Sequence, residues 1–148
     1  NNMDSNSYRK GLETRINYNI NRYSDASISY DYVDSTQYNS STENQQAEVR
    51  RPRNLININY NNNFFNNLSI NSNIFYSSKV KDTDFSSYPF QNVYMNSYFL
   101  FNTTLNYDVD SKNKVSLIFK NIFNREYNVV NDFNTPGFEV LINYRNNF

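Results

Sequence analysis

The chain has 148 residues and a formal net charge of 0. It contains no His and no Cys, which excludes a His or Cys metal site, a His general base, a Cys nucleophile and a disulfide scaffold. Neutral charge argues against nucleic-acid binding, and an aromatic content of 18% argues against ordinary disorder.

Asn occurs 31 times. A coding bias toward AT-rich codons would enrich Asn, Tyr, Ile, Lys and Phe together, so patterning has to separate drift from design. No apolar run approaches the length of a membrane-spanning helix. The opening Asn1-Asn2-Met3-Asp4 is not a signal peptide; an exported protein would carry its targeting signal upstream.

In chain order, seven segments alternate with period two. Leu12, Thr14, Ile16, Tyr18 and Ile20 share one face, with Glu13, Arg15, Asn17 and Asn19 opposite. Ala26, Ile28, Tyr30 and Tyr32 follow, then Ile56, Ile58 and Tyr60. Next come Leu68, Ile70, Ser72, Ile74 and Tyr76, then Phe99, Phe101, Thr103, Leu105 and Tyr107. Val115, Leu117 and Phe119 form the sixth segment, and Phe138, Val140, Ile142, Tyr144, Asn146 and Phe148 the seventh. The fold class is all-β. Residues 49–58 are the nearest thing to a helix, but Pro52 and the alternation after it favour a loop and then a strand.

Short connections at 21–24, 61–67 and 108–111 alternate with long ones at 34–53, 77–97 and 121–137. An outer-membrane barrel has this rhythm, with short periplasmic turns and long extracellular loops. The faces agree: one is apolar, for lipid, and the other is Asn, Ser, Thr and charge, for a polar lumen. A soluble antiparallel sheet with one buried face gives the same alternation, and a structural or adhesive surface protein is the reading it would support. Tyr30, Tyr32, Tyr60, Tyr76, Tyr98, Tyr107 and Tyr144 lie near strand ends, as interfacial girdles require. Seven strands cannot close an even-stranded barrel, so the expectation is one portion of a larger one.

The segment Asn121-Ile122-Phe123-Asn124-Arg125-Glu126-Tyr127, followed by Pro136-Gly137 and a strand ending in aromatics, resembles the closing hairpin of TonB-dependent outer-membrane receptors. The family pattern is an Asn-Leu-Phe-(Asp or Asn)-x-x-Tyr box, a loop ending in Pro-Gly, and a final aromatic strand. Phe138 follows Gly137 where the family often places Arg. The loop from Asp84 to Met95, with the entry at Arg50-Arg51-Pro52, is similar to the vitamin B12 (cobalamin) receptors of this family. The resemblance implies that residues 1–148 are the C-terminal part of a barrel of about 22 strands, with the plug and the N-terminal strands lying elsewhere. It implies a Gram-negative outer-membrane transporter for cobalamin, or alternatively for a siderophore or other metal chelate. The TonB complex would act through the plug. No enzyme activity and no cofactor are expected.

Four loop aromatics, Phe85, Tyr88, Phe90 and Tyr94, are the candidate substrate contacts, with packing between loops as the alternative. Phe148, Tyr144, Ile142 and Val140 resemble the terminal signal read by the barrel-assembly machinery; plain lipid-facing packing is the other reading. Asn121, Phe123, Tyr127, Pro136 and Gly137 carry the family motif, Pro136-Gly137 as a structural turn. Arg50, Arg51 and Arg53 form a basic cluster suited to lipopolysaccharide phosphates or to plain solvation. Glu13, Arg15, Lys114 and Lys120 are expected on the lumen side, paired with one another or with the plug.

Overall fold

The computed structural model describes residues 7–39, 43–86 and 88–147. Ten strands are present among them: β1 (Tyr8–Asn21), β2 (Ser24–Asn39), β3 (Asn44–Ala47), β4 (Asn54–Phe65), β5 (Leu68–Ser77), β6 (Val80–Asp84), β7 (Gln91–Met95), β8 (Tyr98–Asp108), β9 (Asn113–Lys120) and β10 (Glu139–Asn146). The seven expected strands are β1, β2, β4, β5, β8, β9 and β10. They form one antiparallel meander in that order, with β3 added to β2. The β6–β7 pair is a separate hairpin. The three additional strands lie inside segments read from the sequence as long connections. The last strand begins at Glu139, because Phe138 gives its N–H to the Asn124 side chain (2.9 Å) and not to the ladder.

The sheet has no hydrophobic core. No hydrophobic side chain is buried among the described residues. The register explains why. Ile16 pairs with Ile28, Ile28 with Ile58, Ile58 with Ile74 and Ile74 with Phe101, so the apolar positions of five strands fall in one row. A parallel row runs through Ile70, Leu105, Leu117 and Ile142. Ile16, Ile28 and Ile74 remain 59%, 41% and 40% exposed. Among the described residues no strand packs over this band, and so broad an apolar face needs an apolar medium or partner against it.

The opposite face is polar and internally bonded. Asn61 donates to Asp25 (2.9 Å), Asn71 to Asn61 (2.8 Å), Asn106 to Asn71 (2.7 Å) and Ser116 to Asn106 (2.7 Å). In a second row Asn59 donates to Ser27 (3.2 Å), Asn73 to Asn59 (2.9 Å), Asn102 to Asn73 (3.5 Å) and the Asn121 N–H to Asn102 (2.9 Å). Six Asn side chains are therefore patterned as head-to-tail chains, the first row crossing five strands and the second four.

Side chains build the tight turns that join the hairpins. Asn21 Oδ1 accepts the Tyr23 N–H (2.8 Å). Asp110 accepts the N–H groups of Lys112 and Asn113 (2.8 and 2.9 Å), a role for which Asn and Asp are suited. The Asn113 side chain also donates to it, and these bonds hold its carboxyl below the usual carboxylate range. All three tight turns lie at one end of the sheet and the longer connections at the other.

Gly11 is the one strand position where the backbone spacing forbids a side chain. A Cβ there would stand 2.6 Å from the Tyr32 carbonyl oxygen of the adjacent strand. Gly11→Ala is expected to cost about 1–3 kcal/mol, as overpacking does. A fall in the thermal midpoint of the folded protein measures it; a midpoint equal to wild type would show that the strands part without cost.

Candidate functional site

The long connections meet at one end and are tied there by a buried carboxylate. Asp82, in β6, is fully buried. It accepts the Arg50 Nε–H (2.8 Å), the Asn131 backbone N–H (2.8 Å) and its neighbour Thr83 N–H (2.8 Å). Arg50 in turn gives its backbone N–H to the Lys81 carbonyl (2.7 Å). Three loops thus converge on one side chain. Burial opposes ionisation of Asp82, but the two backbone donors and Arg50 outweigh it and hold the carboxyl below its usual range.

Each arginine of the basic cluster is paired with a carboxylate. Arg50 goes to Asp82, Arg51 to Glu48 (3.4 Å) and Arg53 to Asp34 (2.8 Å). Glu48 also takes Arg9 (2.6 Å), whose hydrogen bond leads the effects that hold the Glu48 carboxyl low. With each arginine already on a carboxylate, the three do not form one phosphate-binding patch. Lys114, on the polar face of β9, pairs with Asp108 (3.1 Å) at the opposite end of the sheet.

Three of the four loop aromatics come together. Phe85 and Phe90 meet edge to face with centroids 5.1 Å apart, and Tyr88 meets Phe90 at 5.8 Å. Tyr88 is 89% exposed, so the cluster is a projecting tip and not a buried seam. Tyr94 stands apart on the body of the hairpin, with Lys79 Nζ 5.8 Å from its ring centroid. It lines a cleft of about 280 Å³ with Arg51, Arg53, Lys79, Lys81 and Glu48. On its other side it lines a polar cleft of about 460 Å³ with Tyr98, Tyr127 and Asn134.

The motif residues form the corner between β9 and β10. Asn121 is nearly buried and has φ of 48°. Its side chain donates to the Arg125 and Pro136 carbonyls (2.9 and 3.4 Å) and accepts the Arg125 N–H (2.8 Å). Phe123 stacks on Phe101 and meets Phe99 on the apolar face, while Tyr127 meets Tyr98 at 4.5 Å. Tyr98 therefore faces inward and does not belong to the expected outer girdle: it alternates with the outward Phe99 and is opposite Ser77. Pro136 supplies a carbonyl to the corner. A Cβ at Gly137 would lie 2.5 Å from Asn124 Oδ1, so that side chain, which accepts the Phe138 N–H, would have to shift.

Val140, Ile142 and Tyr144 lie exposed along β10, opposite Phe119, Leu117 and Val115. Phe148 lies outside the described residues. Sequence reasoning missed Asp82, Asn131 and the role of Arg50. Their only sequence signal is a carboxylate alternating with Val80, which reads equally well as a solvated loop.

No family model matches the chain, and no curated protein matches it. Solved structures do. The FpvAI receptor in complex with pyocin S2 superposes with a TM-score of 0.79 at 13% identity, covering 96% of this chain and 20% of that one. The ferric-catecholate import receptor Fiu from K12 E. coli gives 0.77 at 13%, covering 96% and 21%. The siderophore receptor PiuA from Acinetobacter baumannii gives 0.66 at 16%, covering 92% and 20%. The chain has the fold of a TonB-dependent receptor barrel segment. It spans about a fifth of the length of the solved chains it matches. Fiu and PiuA are described as receptors.

Proposed function

We propose that the chain is the closing, C-terminal portion of a TonB-dependent outer-membrane receptor that takes up a ferric siderophore or a similar metal chelate. The observation that carries this is the uncovered apolar band backed by a bonded polar wall, in the fold of import receptors. Lipid outside and a polar lumen inside satisfy both faces. The end bearing the long loops is then extracellular, and the Phe85–Tyr88–Phe90 tip projects toward arriving ligand. The plug, the TonB contact and the remaining strands belong to the rest of the receptor. The barrel-assembly machinery would read Val140, Ile142, Tyr144 and Phe148. Lipid contacts the band; a lipopolysaccharide role for the arginines loses support from their carboxylate pairing.

Cobalamin is the second reading, favoured by the likeness of residues 84–95 to cobalamin-receptor loops. Siderophore uptake has the support of the solved relatives, among them receptors described as siderophore and ferric-catecholate importers.

The test is uptake by the full-length receptor in a host lacking its own receptors, with and without TonB. Labelled ferric siderophores and labelled cyanocobalamin are offered separately. The expected result is TonB-dependent iron uptake. Replacing Phe85, Tyr88 and Phe90 together with Ala should weaken binding about tenfold or more, as loss of exposed aromatic anchors does. Cobalamin uptake alone would overturn the siderophore reading in favour of the second. Uptake of neither would overturn both.

A further inference from the structure

We propose that the amide chains of the inner wall set the register of the strand pairs that no tight turn aligns. The proposal rests on the barrel fold and on no transported ligand.

The apolar face fixes which side of each strand faces out, but it does not fix where along its neighbour a strand sits. Across β5 and β8, Ile70 is opposite Leu105 and Ile74 opposite Phe101. A slip of two residues would place Ile74 opposite Phe99 or Ile70 opposite Tyr107, which is again apolar against apolar. A slip of one would reverse the faces and is excluded. Two-residue slips are therefore the competing states.

Hairpin turns remove this freedom for β1–β2, β4–β5 and β8–β9. They cannot do so for β2–β4 or β5–β8, whose connections are long. The amide chains cross both of these seams twice. Asn61 to Asp25 and Asn59 to Ser27 span β2–β4; Asn106 to Asn71 and Asn102 to Asn73 span β5–β8. At β5–β8 a polar pair on the apolar face adds a fifth constraint, with Ser72 Oγ and Thr103 Oγ1 2.9 Å apart. The remaining long seam, β9–β10, is set by Asn124 on Phe138 at one end and by Asn146 on Asn113 at the other. β1, aligned by its turn, presents Asn17 and Asn19 beside Asp25 and Ser27 yet stands outside both chains among the described residues.

A two-residue slip at β5–β8 would set Asn102 opposite Phe75 or Asn73 opposite Leu100, which disrupts the Asn102–Asn73 bond. It would also part the Ser72 and Thr103 hydroxyls and set each opposite an apolar side chain in hydrocarbon, where a lost bond is costly. A single polar residue fixes coiled-coil register by the same principle.

The chain contains no Cys, so reporter pairs are unambiguous. In the full-length receptor, Ile70→Cys with Leu105→Cys reports the native register. Ile70→Cys with Tyr107→Cys and Ile74→Cys with Phe99→Cys report the two slips, since direct partners can bridge and diagonal ones cannot. Each pair is oxidised in the outer membrane, in the otherwise native receptor and in a background carrying Asn102→Ala, Thr103→Val and Asn106→Ala. The expected result is a rise of about tenfold or more in the ratio of slipped to native cross-link. Asn17→Ala with Asn19→Ala, on the same face, should leave the ratio at its starting value. An unchanged ratio in the triple background would overturn the proposal. If that background fails to insert, Thr103→Val with Asn106→Ala carries the same readout, and an unchanged ratio there overturns it equally.

Discussion

Asp82→Ala in the full-length receptor should loosen the loop end while the sheet beneath it stays intact. The substitution leaves the Asn131 and Thr83 N–H groups and the Arg50 guanidinium without their shared acceptor. Breaking a fully buried pair costs roughly 3–5 kcal/mol. The Arg50 side chain is 45% exposed and regains water, so about 2–3 kcal/mol is expected here. The cost falls on the loops, since Arg50, Thr83 and Asn131 all lie outside the strands of the main sheet. Amide exchange should accelerate in residues 80–95 and 122–137, with little change in β4, β5 and β8. Asp82→Asn, which keeps the shape and one acceptor oxygen, should give a smaller increase. Equal exchange in wild type and Asp82→Ala would show that the loops hold without this carboxylate.

The pH dependence follows from the direction of the Asp82 shift. Its folded-state carboxyl lies below the ordinary value of 3.8. Its contribution is therefore fully present above that value and is lost as pH falls through the folded-state value. Loop-end protection should be flat from neutral pH down to about 5 and decline only below about 4.

The seven sheet strands were legible because each repeats one rule over many residues: an apolar side chain at every second position. β3, β6 and β7 were not, and the reason is local. Val80-Lys81-Asp82-Thr83-Asp84 has one apolar residue in five. It is a strand because β7 pairs with it and because Asp82 gathers Arg50 and Asn131 from loops 32 and 49 residues away in sequence. Periodicity carries no trace of such distant partners. The aromatic tip shows the same division. That Phe85, Tyr88 and Phe90 belong to one loop could be read directly; that Tyr94 turns away from them depends on its pairing with Lys81. The arginine cluster was legible as sequence but its pairing was not, because Arg50, Arg51 and Arg53 each meet a different carboxylate, Asp82, Glu48 and Asp34. The Asn excess invited a compositional explanation. Register gives six of these residues, Asn59, Asn61, Asn71, Asn73, Asn102 and Asn106, a structural place that alternation alone could not assign, since alternation names a face and not a neighbour.

Asn121→Ala should be among the most damaging single changes to the β9–β10 hairpin. The side chain makes three hydrogen bonds, to the Arg125 N–H and to the Arg125 and Pro136 carbonyls. Each contributes about 1 kcal/mol, and more where a buried partner is stranded. The φ of 48° adds a second term, because Asn tolerates the left-handed region and Ala does not, by roughly 1 kcal/mol. A total of about 3–4 kcal/mol is expected. The Asn121 backbone N–H still reaches Asn102, so the inner amide row survives and the damage is confined to the corner. Two further variants separate the terms. Asn121→Gly removes the side-chain bonds but accepts the dihedral, and should recover about 1 kcal/mol over Ala. Asn121→Asp keeps the acceptor for Arg125 N–H and places a carboxylate against two carbonyls, and should be no better than Ala. The measurement is the urea midpoint of the full-length barrel in detergent, followed by the shift between its folded and heat-unfolded gel bands. If Ala and Gly lie together within about 0.5 kcal/mol of wild type, the corner is not what joins β9 to β10. If the order is wild type, Gly, then Ala, the motif Asn is conformational and bonding at once, and the β9–β10 hairpin depends on it because no tight turn aligns that seam.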